Sequence, residues 1–285
     1  GVSLRVAGLH AGAVVTATFG PAPGGRRVVF RLFDLPAARE IAARLEEVEA
    51  TDRRTVLGQG AQAIHTVEHV LAAVCALGLD DLYIDLDGPE PPALDGSFRP
   101  WLEALQGAGE RVQDGDPVVF RVLAPFTVTE GASSYVVSPA GAMRVTVAID
   151  FPHPLIGSQA GSYEVTPEVF ARELAGARTF GFVHEVEALK AKGLIQGASP
   201  GNAVVLTDTG LVEGTTLRWP DEFVRHKAAD LIGDLALLVG LVVDLAEDHQ
   251  LGGPGGHCAQ AQGSNGEAGE AFHVVSIPGR ASCPG

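Results

Sequence analysis

Apolar and polar positions alternate with a two-residue period through residues 4 to 33, in the runs Leu4–Leu9, Ala13–Phe19 and, after the turn signal Pro21-Ala22-Pro23-Gly24-Gly25, Arg26–Phe33. That period puts successive side chains on opposite faces and predicts antiparallel strands. His10 falls in the first turn, where a solvated loop histidine is the expectation. Ala37–Arg54 is rich in Ala, Glu and Arg and by local propensity alone reads as helix. Val67, Val70, Leu71, Val74 and Leu77 then recur at helical spacing, predicting a helix with Thr66 as its N-cap and Gly78 just past its end. Asp81–Gly88 reads as a short strand, Pro89–Pro92 as a stiff turn and Leu94–Gly109 as a second short helix.

Gly107–Asp116 is polar and glycine-bearing and marks a boundary. Strand alternation resumes in Pro117–Val128, Ser133–Ser138 and Ala142–Phe151, and Thr166-Pro167-Glu168 opens a helix with a capping hydroxyl and Pro at its first position. Ala177–Phe182 reads as a buried strand, Glu185–Gly193 as a short helix and Asn202–Asp208 as a strand. Asp221–Gly240 is a helix whose apolar stripe is Phe223, Leu231, Leu235 and Leu238. Each half thus runs strands and then a helix opening with Val-x-His: Val67-Glu68-His69 in one, Val224-Arg225-His226 in the other. The expectation is an α+β protein of two similar domains, residues 1–110 and 116–250, each a sheet packed on helices with a shared cleft between them. From Leu251 to Gly285 the chain turns glycine-rich and aperiodic and reads as loop or disorder.

Composition narrows the function. With 285 residues, 46% hydrophobic and 19% charged, the chain has the make-up of a folded protein, and it has neither an 18-residue apolar run nor a signal-peptide pattern. A net charge of -15 argues against nucleic acid as a partner but leaves room for a phosphate-bearing small molecule that needs only a local cation. Three scattered cysteines, Cys75, Cys258 and Cys283, make no disulfide framework and suit a reducing cytoplasm. Cys75, inside the apolar helix, reads as a small hydrophobe.

The chemistry-bearing residues cluster on the two helices. His226, Asp230 and Asp234 stand at i, i+4 and i+8, so an imidazole and two carboxylates share a face. Such a set can bind zinc, or His226 can simply pair with Asp230. His65-Thr66-Val67-Glu68-His69 has the H-x-x-E-H form of one metallopeptidase class, in which His65 and His69 bind the metal and Glu68 is the base. An N-cap at Thr66 would leave His65 outside the helix. The other reading takes His69 from the first helix and His226 and Asp230 from the second, leaving a coordination position for water and Glu68 to deprotonate it.

Several separated motifs occur in order: Thr66-Val67-Glu68-His69, Leu94-Asp95-Gly96-Ser97, Ile149-Asp150-Phe151-Pro152-His153-Pro154, Arg178-Thr179-Phe180-Gly181-Phe182, and Asp221–Lys227 with Asp230, Gly233 and Asp234. Over residues 4 to 240 the chain resembles the zinc-dependent UDP-3-O-acyl-N-acetylglucosamine deacetylases of lipid A biosynthesis. The resemblance implies a cytoplasmic, monomeric Zn2+ hydrolase without stable membrane insertion, acting on an acylated UDP-N-acetylglucosamine. It implies His69, His226 and Asp230 as zinc ligands, Glu68 as general base and Thr179 as the hydroxyl stabilising the oxyanion. It further implies Lys227 as a nucleotide-sugar contact and Phe180, with the insert at about 180–205 that carries Leu189, Leu194 and Ile195, as lining for the acyl chain. Asp234 would orient and charge a catalytic histidine in a Gly-His element. Gly256-His257 is the candidate, with His249 nearby, although the glycine-rich tail departs from the family's strand and terminal helix. The resemblance also makes residues 44–54 extended rather than helical, and we adopt that over propensity. A weakly active binder of the same fold is the other functional class.

Overall fold

Strand formation follows the alternation at the start of the chain. The computed structural model describes residues 2–33, 39–51, 53–115, 121–238, 242–243 and 270–278. Strands β1 (Val2–Ala7), β2 (Val14–Pro21), β3 (Val28–Leu32) and β4 (Arg39–Ala42) are followed by three short strands, β5 (Val48–Ala50), β6 (Val56–Leu57) and β7 (Ile64–His65), which form a small sheet of their own. Helix α1 (Glu68–Leu77), strand β8 (Leu82–Leu86) and helix α2 (Arg99–Ala108) complete this half. The first sheet has the order β1-β2-β8-β3-β4, with β3 and β8 parallel and the other pairs antiparallel. Its covered face presents Val15, Ala17, Phe19, Phe30 and Ile84 to a core that includes Val70, Leu71 and Val74 of α1 and Trp101 of α2.

The second half runs β9 (Arg121–Val122), β10 (Phe126–Glu130), β11 (Ser133–Ala140), β12 (Arg144–Phe151) and β13 (Gly157–Glu164), then α3 (Pro167–Val169), which continues as one wide π turn over Phe170–Leu174. The Thr166 hydroxyl accepts the Val169 N–H at 3.2 Å, as expected of the cap. Next come β14 (Phe180–Phe182), α4 (Val183–Ala191), β15 (Val204–Leu206), α5 (Glu222–Leu235), β16 (Val242–Val243) and β17 (Glu270–Pro278). The second sheet has the order β10-β11-β17-β12-β13. Both sheets therefore place a late strand between two earlier pairs. The inserted strands run oppositely: β8 is parallel to β3, whereas β17 is parallel to β11 and antiparallel to β12. Among the described residues no helix is long and apolar enough to cross a membrane.

Five sequence expectations are corrected. The helix that propensity alone suggests does not form in the described residues 39–51 and 53–54, and the extended reading adopted for 44–54 holds in the main: β4 pairs with β3, a single 3-10 turn covers Leu45–Glu47 and β5 pairs with β6, so sheet contacts override the local preference. Thr66 is not the N-cap of α1. Val67 holds that position, and Thr66 has φ +58, a left-handed conformation that a β-branched residue rarely adopts. Ala177–Phe182 is half-buried at β14 rather than a fully buried strand. The glycine-rich tail is not loop throughout, because residues 270–278 form the middle strand of the second sheet. Gly78, with φ +66, does end α1 as read.

His10 is the last correction, since it is buried rather than solvated. The insert closes on it: the Ile195 N–H donates to His10 Nδ1 at 3.2 Å, and the Gln196 and Gly197 N–H groups donate to the His10 and Leu9 carbonyls at 3.0 and 2.9 Å. Beneath it the Glu90 carboxylate, 0% exposed, accepts the His10 and Ala11 N–H groups and the Thr66 hydroxyl. One carboxylate thus ties the first turn, the residue ahead of α1 and, through His10, the insert.

The helices α1 and α5 cross at Gly233, where a Cβ would overlap the Glu68 carbonyl oxygen and crowd the Ala72 nitrogen at 3.1 Å. Both obstacles are backbone. Gly233→Ala should cost roughly 1–3 kcal/mol through overpacking, seen as a lowered urea midpoint. Burial, with the charges of Arg54 and His65 after it, pushes His10 down to about 3 from 6.5. Its contribution to stability is therefore complete above about pH 6.5 and is lost as pH falls from there toward 3, because the unfolded state takes up the proton more readily. In His10→Asn, urea midpoints should fall less steeply between about pH 6.5 and 4 than in the unsubstituted protein.

Candidate metal centre

Helix α1 begins with Glu68, so the base candidate and His69 occupy its first turn, where the dipole favours a carboxylate. Helix α5 carries His226, Asp230 and Asp234 one turn apart along one side. The crossing at Gly233 brings these two rows together. His69 Nε2 lies 3.6 Å and His226 Nε2 3.4 Å from the same atom, Asp230 Oδ1, and all three residues are buried. Among the described residues, they form the only group of His, Cys, Asp or Glu able to hold a metal ion.

Neither contact forms a hydrogen bond, and Asp230 Oδ1 is buried without a hydrogen-bond partner. Donors about 2.0–2.1 Å from one ion at tetrahedral angles stand roughly 3.3 Å apart, close to the spacing seen. The electrostatics agree. Burial, with His226 nearby, pushes His69 down to about 4. Burial and Lys227 push His226 to about 3. Both imidazoles are neutral, as ligands must be. His226 Nδ1 lies 3.1 Å from the Ala177 carbonyl; donating there fixes the tautomer that leaves Nε2 as a free lone pair. Burial raises Asp230 above the usual carboxylate range, opposed by Lys227 and His69. The donor set therefore fits a cation that would supply the missing compensation.

Phe98 braces both imidazoles, its ring centroid 4.7 Å from that of His69 and 5.0 Å from that of His226. Phe180 packs edge-on against Phe223 at 5.0 Å and stands 6.4 Å from the His226 ring. Lys227 Nζ lies 3.8 Å from Asp230 Oδ2 and 5.8 Å from the Phe180 centroid, so it faces the centre rather than open solvent. Thr179 is held between the Asp95–Ser97 loop and β15, its N–H donating to Gly96 O and its carbonyl accepting the Val204 N–H, both at 2.8 Å. The neighbouring Arg178 is locked by the fully buried Glu222 at the start of α5.

Glu68 is buried, and burial first, then Asp230 and Asp234, raises its pKa well above the ordinary value. Burial likewise pushes Asp234 up to about 7, against the stabilising hydroxyl of Thr55. His65 is not part of the group. It sits on β7, not on α1, and its Nδ1 accepts from Arg54 Nε at 3.3 Å. Cys75 packs half-buried against the core, its thiol pushed up to about 11 by burial. His257 and His249 lie outside the described residues. Sequence reasoning missed Thr55, Phe98 and the Ala177 carbonyl. Each acts through a contact distant in sequence that no local pattern announces.

Comparison with known proteins agrees with this centre. A family model described as UDP-3-O-acyl N-acetylglycosamine deacetylase matches residues 1–257. The UDP-3-O-acyl-N-acetylglucosamine deacetylase of Bdellovibrio bacteriovorus is 43% identical over 231 residues, covering 81% of this chain and 76% of the relative. That of Myxococcus xanthus is 42% identical over 235 residues, covering 82% and 75%. That of Brucella melitensis is 41% identical over 237 residues, covering 83% of each.

Elemental analysis of protein purified without chelator should find close to one divalent ion per chain. The ion should be lost in His226→Ala and Asp230→Asn and retained in His65→Ala.

Proposed function

Since the chain belongs to the UDP-3-O-acyl N-acetylglycosamine deacetylase family, a family of metalloenzymes, we propose that its metal is Zn2+, held by His69, His226 and Asp230. The enzyme is an amide hydrolase that removes the N-acetyl group from an acylated UDP-N-acetylglucosamine in lipid A biosynthesis. The observation that carries the site assignment is the convergence of two neutral imidazoles on one unpartnered carboxylate oxygen, with a proton-hungry Glu68 beside them.

When bound, Zn2+ supplies Lewis acidity toward water and the amide oxygen. Glu68 takes the proton of the attacking water, and its raised proton affinity suits that task. The Thr179 hydroxyl donates to the developing oxyanion. Lys227 offers its ammonium to the nucleotide-sugar, at a phosphate. Phe180 opens the insert of about 180–205, whose apolar residues, Leu189 and Leu194 among them, line the path of the acyl chain. Asp234 orients and charges His257, and the resulting imidazolium protonates the leaving amine. In this reading residues 1–110 and 116–250 are two similar domains meeting at the catalytic cleft, the second completed by β17 from within the 251–285 tail. The shared strand order of the two sheets and the α1–α5 crossing support it. One chain provides every ligand, which suits a monomer, and a nucleotide-sugar substrate suits a cytoplasmic enzyme.

A metallopeptidase of the H-x-x-E-H type is not favoured, since His65 stands on a strand away from the ion group. Glu68→Gln should lower kcat for acetate release by about 10²–10⁴-fold while metal content holds, whereas His65→Ala should leave both near their starting values. Metal and substrate binding without acetate release in the unsubstituted protein would mark the binder instead.

A further inference from the structure

Thr55 touches both carboxylates that flank the metal group, and none of the roles above uses it. Its N–H donates to Glu68 Oε2 at 3.1 Å, and its hydroxyl donates to Asp234 Oδ1 at 2.6 Å. Its carbonyl accepts the Val67 N–H at 3.4 Å, directly ahead of α1. The residue is 4% exposed, so these bonds are made away from bulk water. It precedes β6, whose pairing with β5 and β7 sets the path of the backbone. One residue beside a small separate sheet thereby grips the first turn of α1 and the last turn of α5.

The arrangement does more than satisfy polar groups. Glu68 is buried and Asp234 half-buried, and the two acids carry like charge when ionised. Left alone, each would swing toward whatever donor it could reach. A main-chain N–H on one and a short O–H bond on the other remove that freedom and set the spacing between the two. We propose that Thr55 is a positioning residue for the deacetylation, its N–H aiming Glu68 and its hydroxyl orienting Asp234, so that the two carboxylates act from fixed places. The proposal rests on the roles of Glu68 and Asp234 given above.

Only the hydroxyl can be removed by substitution, so the test uses Thr55→Val, Thr55→Ser, Asp234→Asn and the double variant Thr55→Val/Asp234→Asn. Each is assayed as the metal-loaded full chain for kcat, KM, metal content and melting temperature. Thr55→Val is expected to lower kcat about tenfold or more with KM within about twofold and metal retained, a pattern that marks loss of an interaction made in the transition state. Thr55→Ser, which keeps the hydroxyl, should return kcat to within about threefold, and Thr55→Val should add no further loss to Asp234→Asn. Full activity in Thr55→Val beside an impaired Asp234→Asn overturns the positioning role alone. Full activity in Asp234→Asn overturns the underlying reading of that carboxylate and this proposal with it. A loss in Thr55→Val that persists in Thr55→Ser, or that comes with loss of metal or melting temperature in both, shows a structural role and overturns the proposal.

Discussion

The metal centre depends on how closely two helices approach. At Gly233 the backbone of α5 lies against the Glu68 carbonyl and the Ala72 nitrogen of α1, with no room for a side chain between them. Interiors pack at near-crystalline density, so an added methyl there must push main chain rather than a flexible side chain. This approach lets His69 reach the same point in space as His226 and Asp230. Everything else at the site refines a meeting that the crossing has already arranged. Phe98 wedges the imidazoles, Ala177 sets a tautomer, and Glu222 with Arg178 anchors the start of α5.

The cost of that meeting is a cluster of acids and imidazoles in a dry place. Burial pushes Glu68, Asp230 and Asp234 up and His69 and His226 down, so the group favours neutral forms until a cation arrives. A buried carboxylate oxygen with no donor, Asp230 Oδ1, is a local debit that a bound ion would cancel. Thr66 carries a further cost, its left-handed backbone held by the hydrogen bond to Glu90 two residues ahead of Glu68. Stability elsewhere, in the apolar interiors beneath the two sheets, sustains these local penalties.

Much of this was legible in the chain itself. Apolar periods located α1 and α5, because Val70, Leu71 and Val74, and later Phe223 and Leu231, must face a core wherever that core is. The row of His226, Asp230 and Asp234 on α5 was visible because residues one turn apart share a face, whereas His69 stood out through the repeated Val-x-His. What stayed hidden depended on distant partners. Thr55 looked like any residue before a strand, and its worth arises from Glu68 and Asp234 meeting around it. His10 looked solvated because nothing local announces that the insert will cover it. Residues 39–50 favoured helix one by one, yet pairing with β3 and β6 decided their conformation. In the tail the strand at 270–278 was masked by the glycine-rich run ahead of it, which dominates any window that spans both.

The position of β17 bears on how the molecule is made. The pairs of the first sheet all lie within residues 2–86, so a nascent chain can complete that sheet early in its synthesis. The second sheet cannot do so, because Ser133 must find Ala271 and Arg144 must find Ser276 before its centre is filled. Until then the facing edges of β11 and β12 offer unsatisfied main-chain groups to any passing strand. The growing polypeptide thus carries one finished sheet and one open sheet from the synthesis of β12 until residues 270–278 have been made.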